Sequence, residues 1–179
     1  MTNETLETIK SRRSCRAYKP EQITAEELEA VTTAGTWAAT AMGRQSPVMV
    51  AVQDKETLAA LSRLNAAVMG TQNDPFYGAP TAVLVLGEKN NPNGVQDASL
   101  VMGNLMNAAY AVGVDSCWIH RAREVFDSEE GKELKKQWGV PEEYIGVGHC
   151  VLGYRDCEYP TAKPRKDGFV NKISTAKNF

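Results

Sequence analysis

Residues 81–119 read TAVLVLGEKNNPNGVQDASLVMGNLMNAAYAVGVDSCWI, and this stretch decides the fold class. Thr81 to Leu86 is the clearest strand of the chain, a short apolar run ended by the turn-rich loop EKNNPNG. A long helix is expected from about Gln96 to Val112. Its residues Leu100, Val101, Leu105, Met106, Ala108, Ala109 and Val112 leave few polar positions, so it should be buried nearly all round. Met102 and Met106 read as gap-filling core rather than as a cofactor stripe. Gly113 stops the helix, and Val114 to Ile119 returns as a second strand.

Outward from this unit the same alternation continues. Val48 to Val52 is a short buried strand, and Ile145 to Gly153 is the last strong one. Thr2 or Asn3 can cap a short helix that presents Leu6 and Ile9 on one face. Thr24-Ala25-Glu26-Glu27 is a capping box ahead of Leu28 and Val31. Asp54 caps a helix carrying Leu58, Leu61, Leu64 and Val68, and Asp127-Ser128-Glu129-Glu130 opens another that runs to Trp138. Gly35 to Pro47, GTWAATAMGRQSP, is weakly periodic and reads as loop or broken helix. Strands alternating with helices point to an α/β sandwich or an α+β sheet and exclude an all-β fold. A length of 179 residues with no repeat and no linker suits one domain. The tail after Tyr154 differs: Pro160, Pro164 and charges surround only scattered apolar residues, Phe169, Val170, Ile173 and Phe179. Such a tail is expected to dock on a partner subunit.

Composition narrows the function classes. With 42% hydrophobic and 23% charged residues the chain is globular, which excludes disordered, collagen-like and coiled-coil classes. No apolar run approaches the ~20 residues of a membrane span, and MTNETLETIKSRR lacks the apolar stretch of a signal peptide. A soluble cytoplasmic protein without membrane partners is expected. A net charge of −2 argues against a nucleic-acid binder, which a basic domain would announce. Lys10, Arg12, Arg13, Arg16 and Lys19 nevertheless crowd into ten positions without an acid, and Lys163, Arg165 and Lys166 form a second cationic spot. Local cations in an acidic protein suggest a small anionic ligand.

The chemistry-bearing motifs are mostly absent. Gly146 and Gly148 begin no dinucleotide fingerprint, because the third glycine position is Val151 and the segment is a strand. There is no P-loop, no HExxH and no nucleophile elbow. Cys15, Cys117, Cys150 and Cys157 form no CxxC pair, and disulfides are not expected in an intracellular setting. Cys117, His120, His149 and Cys150 are metal-ligand types, but in strands at most two of them converge, so no metal site is expected. His120 and His149 read as structural, and no side chain is assigned as a catalytic nucleophile. Phe76 and Tyr77 are equally candidates for pocket wall or loop anchor, while Trp118 reads as core. The positive signal is Arg12-Arg13-Ser14-Cys15-Arg16, where guanidinium forks and a hydroxyl make a phosphate clamp. Its bland alternative is a solvated basic face that suits a helix C-terminus.

At this point a resemblance enters. RRSCRAYKPEQIT (12–24) looks like the opening motif of the nitroreductase family of FMN-dependent oxidoreductases. WAATAMGRQSP (37–47) resembles the family's A-P-S-x-x-N-x-Q-P loop in a G-R-Q-S variant, with Gly43 where many members have asparagine, Ala39 where many have proline, and Val48 after it where an aromatic is frequent. NAAVMGTQNDPFYGAPTAVLVL (65–86), GVDSCWIHRA (113–122), and VLGYRD (151–156) followed by AKPRK (162–166) complete five matches in order. The resemblance implies an α+β three-layer sandwich, a mixed, mostly antiparallel sheet between helices. It implies a domain-swapped homodimer whose arm, about residues 155–179, wraps the partner. Two FMN sites lie at the interface of such dimers. Arg12, Arg13, Ser14 and Arg16 would then make phosphate, ribityl and ring-edge contacts, completed by Lys163 and Arg165. Asn65 would contact the flavin, and the backbone amides of Ile119, His120 and Arg121 would approach its N5 side. Ala38, Ala39, Thr40 and Gln45 would reach it from the other subunit. The implied activity is ping-pong electron transfer from NADH or NADPH through the flavin to a nitroaromatic, quinone or similar small acceptor. The competing expectation is an FMN-binding storage or sensor module without turnover.

Overall fold

A computed structural model of the chain describes residues 1–173. Its elements follow in the order α1 (Glu4–Ser11), α2 (Ala25–Thr36), β1 (Val48–Val52), α3 (Lys55–Met69), β2 (Thr81–Glu88), α4 (Gly94–Ala111), β3 (Asp115–Ile119), α5 (Ala122–Asp127), α6 (Glu129–Gln137) and β4 (Tyr144–Gly153). The helix starts are chemically specified. Asn3 accepts from the Leu6 amide at 2.9 Å, Thr24 and Glu27 close the reciprocal capping box, Asp54 accepts from Thr57, and Ser128 accepts from Gly131. The strand expected from Val114 begins at Asp115. A short helix that the sequence reading had passed over, α5, stands between β3 and α6.

The four strands form one sheet in the order β1-β2-β4-β3, and every neighbouring pair is antiparallel. Among the described residues of the single chain the sheet is antiparallel throughout, and the one parallel pairing is an isolated bridge, Ser14 with Ser116. Alternate strand residues split the core into two layers, as the period of two requires. Ala82, Leu84, Leu86, Cys117, Ile119 and Val151 pack with α3 and α5. Val83, Val85, Val147, Cys150 and Leu152 pack with α2 and α4. The result is the expected three-layer α+β arrangement.

Where β2 hands over to α4 the backbones nearly touch. A Cβ on Gly87 would lie 2.4 Å from the Gly94 carbonyl, and one on Gly94 would lie 2.2 Å from that of Glu88. Only glycine fits there, and the close approach fixes the N-terminus of α4 against the sheet. The expectation of α4 buried all round does not hold in the single chain. Asp97, Val101, Leu105 and Ala109 are buried, but Val95 and Leu100 are 46% and 51% exposed. The helix covers the sheet with one stripe, and its second apolar face points outward. The tail turns away after Tyr159, whose hydroxyl donates to the Ser11 carbonyl at 2.6 Å. Phe169, Val170 and Ile173 stand exposed, and Phe179 lies outside the described residues. Among the described residues no helix is long and apolar enough to cross a membrane.

Candidate functional site

The basic segment leaves α1 at Arg12 and is then tied down at both ends. The Cys15 amide donates to the Ser116 carbonyl at 3.0 Å, while Lys19 and Asp156 exchange bonds with Tyr154 and Ala17 at 2.8 and 2.9 Å. Cys15 and Tyr18 are the buried anchors, and the Tyr18 hydroxyl donates to the Cys15 carbonyl. Burial first, and the neighbouring thiols second, push the Tyr18 phenol far above its ordinary range. Burial raises the Cys117 thiol, and the charges of Arg16 and Arg12 work against that rise. Ser14 bridges to Ser116 at the start of β3, with Arg12 and Arg16 close enough for their charges to act on Cys117 beside it. Burial lifts Cys150 to about 12, so this thiol beneath the segment is packing and not a nucleophile.

Arg12 carries the most informative atom. Its Nη1 is buried with no hydrogen-bond partner among the described residues. Buried guanidinium donors are costly unless an anion or carbonyl receives them. Arg13 is divided: its Nη1 donates to the carbonyls of Lys10, Ser11 and Arg12 at 2.6, 3.0 and 2.7 Å, while its Nε, like Arg12 Nη1, is buried without a partner among the described residues. That is the helix C-terminus reading of a basic side chain, with the Arg13 fork turned back onto α1.

Asn65 sits on α3, fully buried, and reaches the turn after β3. Its Nδ2 donates to the His120 carbonyl at 2.7 Å, and its Oδ1 accepts from Arg121 Nε at 3.1 Å. Arg121 has φ 70°, a left-handed conformation that a non-glycine residue holds at a cost of about 1–2 kcal/mol. Asn65 thus clamps a strained turn at the end of β3. Asn65→Ala should cost about 1–3 kcal/mol, since it strands a buried carbonyl and a guanidinium donor. A denaturation midpoint equal to that of the unaltered protein would show that the clamp contributes nothing.

Behind the turn lies His149, fully buried between Phe76 and Phe126 at ring-centroid distances of 5.1 and 5.9 Å. Burial lowers its pKa to about 4, and the nearby Arg121 charge adds to the effect. It is a neutral core imidazole. Phe76 is buried beside it, so of the two loop aromatics it is the anchor. Tyr77 is 36% exposed at φ 58° in a turn that Asp74 holds by accepting from the Phe76 and Gly78 amides at 2.8 and 2.6 Å.

Ala38, Ala39, Thr40 and Gln45 lie elsewhere, in the loop beside the N-terminus of α4. A short 3-10 turn spans Ala41–Gly43, and Met42, Gly43 and Gln45 all have positive φ. The strain of Met42 and Gln45 costs about 1–2 kcal/mol each. Thr40 Oγ1 accepts from the Gln45 amide, Asp97 Oδ1 from the Ala41 amide, and Ser46 from Asn91 Nδ2, all at 3.0 Å. Trp37 and Met42 stand 83% and 87% exposed on it. Lys163 and Arg165 are exposed on the arm, where Arg165 donates back to the Lys163 carbonyl. Among the described residues no hydrogen bond joins either of them to Arg12. A groove of about 690 Å³ between α3 and the 71–80 loop is lined by none of the residues implied to hold a cofactor.

Three anchors were missed in the sequence. Asp97 had a usable signal, because it falls on the four-residue stripe of Val101, Leu105 and Ala109, where an acid is out of place. Asn91 and Tyr144, which also hold the loop, gave none.

Comparison with known proteins bears on the family and the fold. The nitroreductase family model matches residues 9–154. A protein of Archaeoglobus fulgidus provisionally named NADH dehydrogenase/NAD(P)H nitroreductase is 30% identical over 157 residues, covering 84% of this chain and 85% of its own. A Bacteroides fragilis nitroreductase crystallised with bound FMN superposes with a TM-score of 0.89 at 31% identity, over 97% of this chain and 100% of that one. A Desulfitobacterium hafniense nitroreductase with bound FMN gives 0.87 at 26% identity over the same shares. The chain belongs to the nitroreductase family of NAD(P)H-dependent flavin oxidoreductases.

Proposed function

We propose that the protein is an FMN-dependent oxidoreductase that takes electrons from NADH or NADPH and delivers them to a nitroaromatic, quinone or similar small acceptor in a ping-pong cycle. The observation that carries this reading is the buried, unpartnered Arg12 Nη1 beside Ser14 and Arg16. An oriented donor of that kind fits the phosphate or ring-edge oxygen of a flavin mononucleotide. FMN bound by Arg12, Ser14 and Arg16 would supply the hydride and electron-transfer chemistry.

The chain supplies position and charge. Arg12 and Arg16 place fixed cations where negative charge develops, Ser14 adds a hydroxyl, and Arg13 joins them if it releases the α1 carbonyls. Asn65 holds the Ile119–Arg121 turn so that its amides are oriented before any ligand arrives. Ala38, Ala39, Thr40 and Gln45 complete the site of a second copy in a homodimer, and Lys163 and Arg165 close the phosphate end. The arm of about residues 155–179 crosses onto the partner. The outward apolar residues Trp37, Met42, Leu100 and Phe169 support such a dimer, since monomers rarely leave this much apolar surface in water. No side chain acts as nucleophile or metal ligand.

The test is an anaerobic visible spectrum of FMN-loaded, desalted protein before and after NADH or NADPH. Retained flavin absorption that bleaches on addition is the expected result. Flavin that stays yellow with both nicotinamides would indicate the storage or sensor module, and a colourless protein would overturn FMN binding altogether.

A further inference from the structure

Asp97 lies in the first turn of α4, is 3% exposed, and has the Ala41 amide as the one donor to its carboxylate among the described residues. Its second oxygen, Oδ2, is buried and unpartnered. A desolvated carboxylate that uses one oxygen is a poor source of stability, even with the partial positive charge of a helix N-terminus near it. It does not cap the helix either: the N-cap position is Asn93, and the carboxylate of Asp97 accepts from Ala41 rather than from an amide of α4. What it does hold is the entry of a loop whose Met42, Gly43 and Gln45 are all left-handed. The exit of that loop is held separately, by Asn91 and by the Tyr144 hydroxyl, which donates to the Ser46 carbonyl at 3.1 Å. Between the two pins, Met42 to Gln45 is exposed and makes no other long-range hydrogen bond among the described residues.

We propose that Asp97 is a positioning residue that presets the Thr40–Gln45 loop for the cofactor of the partner subunit. The inference rests on the proposed function for the role of the loop, but the pin itself is independent of it. The bond requires an acceptor at Oδ1 and an N–H on residue 41, and nothing else. Asparagine at 97 keeps the acceptor. Alanine at 97 removes it. Proline at 41 removes the donor instead, and Thr40 already has the extended backbone, φ −129° and ψ 149°, that a following proline demands.

The experiment reads the loop in two ways, by tryptic cleavage at Arg44–Gln45 and by FMN affinity from flavin fluorescence titration. Asp97→Ala and Ala41→Pro should each be cut at least about tenfold faster than the unaltered protein and bind FMN at least about tenfold more weakly. Asp97→Asn should stay within about threefold of the unaltered protein in both. If Asp97→Ala fails to fold, Asp97→Asn and Ala41→Pro still decide the matter. Wild-type behaviour of Asp97→Ala or of Ala41→Pro in either readout would overturn the proposal, as would an Asp97→Asn variant as impaired as the alanine. An unaltered protein that binds no FMN would instead overturn the proposed function, and cleavage alone would then judge the pin.

Discussion

Arg12→Ala is expected to weaken FMN binding by about 10- to 150-fold without lowering the stability of the unliganded protein. The first half follows from losing a charge-assisted hydrogen bond, about 1.5–3 kcal/mol, at 1.4 kcal/mol per tenfold in affinity. The second half follows from the geometry. Arg12 Nη1 is buried with no acceptor among the described residues, so the free protein carries the cost of a desolvated donor that only a ligand relieves. A structural arginine would show the reverse, a loss of stability with affinity intact. Arg12→Lys should fall between the two, because an ammonium keeps the charge and loses the fork. Paired FMN titrations and urea midpoints on the unloaded protein decide it. A destabilised Arg12→Ala protein that binds FMN normally would remove Arg12 from the site.

The second large effect concerns acid. His149 is fully buried, neither ring nitrogen has a well-formed hydrogen bond among the described residues, and burial, opposed by the nearby Ile119 backbone, lowers its folded pKa to about 4 against an ordinary 6.5. The native state therefore resists a proton that the unfolded chain takes readily. Stability is complete above pH 6.5 and is lost as pH falls toward 4, by about 3 kcal/mol in all and about 2 kcal/mol by pH 5. The carboxylates whose pKa is lowered, Glu27 by Tyr154 above all and Asp54 by Thr57, lose their contribution only below their ordinary values of 4.5 and 3.8. The interval between pH 7 and 5 thus belongs largely to the imidazole. His149→Phe, which keeps a ring between Phe76 and Phe126, should abolish most of the loss in that interval. Equal losses in both proteins between pH 7 and 5 would mean that His149 is not the titrating group.

The two effects differ in how far the sequence announced them. Arg12-Arg13-Ser14-Cys15-Arg16 could be read as a candidate anion clamp because guanidinium chemistry is a property of the residue and survives any fold. Which fork does what was not legible. Arg13 Nη1 turns back because α1 ends with three carbonyls within its reach, whereas Arg12 Nη1 and Arg13 Nε meet no acceptor among the described residues. His149 alternates with Cys150 in a strand, so its period placed it on one face, but the period says nothing of which face holds Phe76 and Phe126.

What the sequence alone determined is what near neighbours decide. The capping box at Thr24, the caps at Asp54 and Ser128, the strand from Thr81 and the long helix after it rest on hydrogen bonds and periodicities spanning three or four residues. The order of five short motifs added the family. Tertiary structure alone decided the pairs far apart in the chain: Asn65 with His120 and Arg121, Asp97 with Ala41, and Tyr144 with Ser46. It also decided that α4 buries a stripe and leaves Leu100 outside. The reason is physical. A cap is satisfied by its own turn, whereas a buried carboxylate or amide has many possible partners until packing excludes all but one.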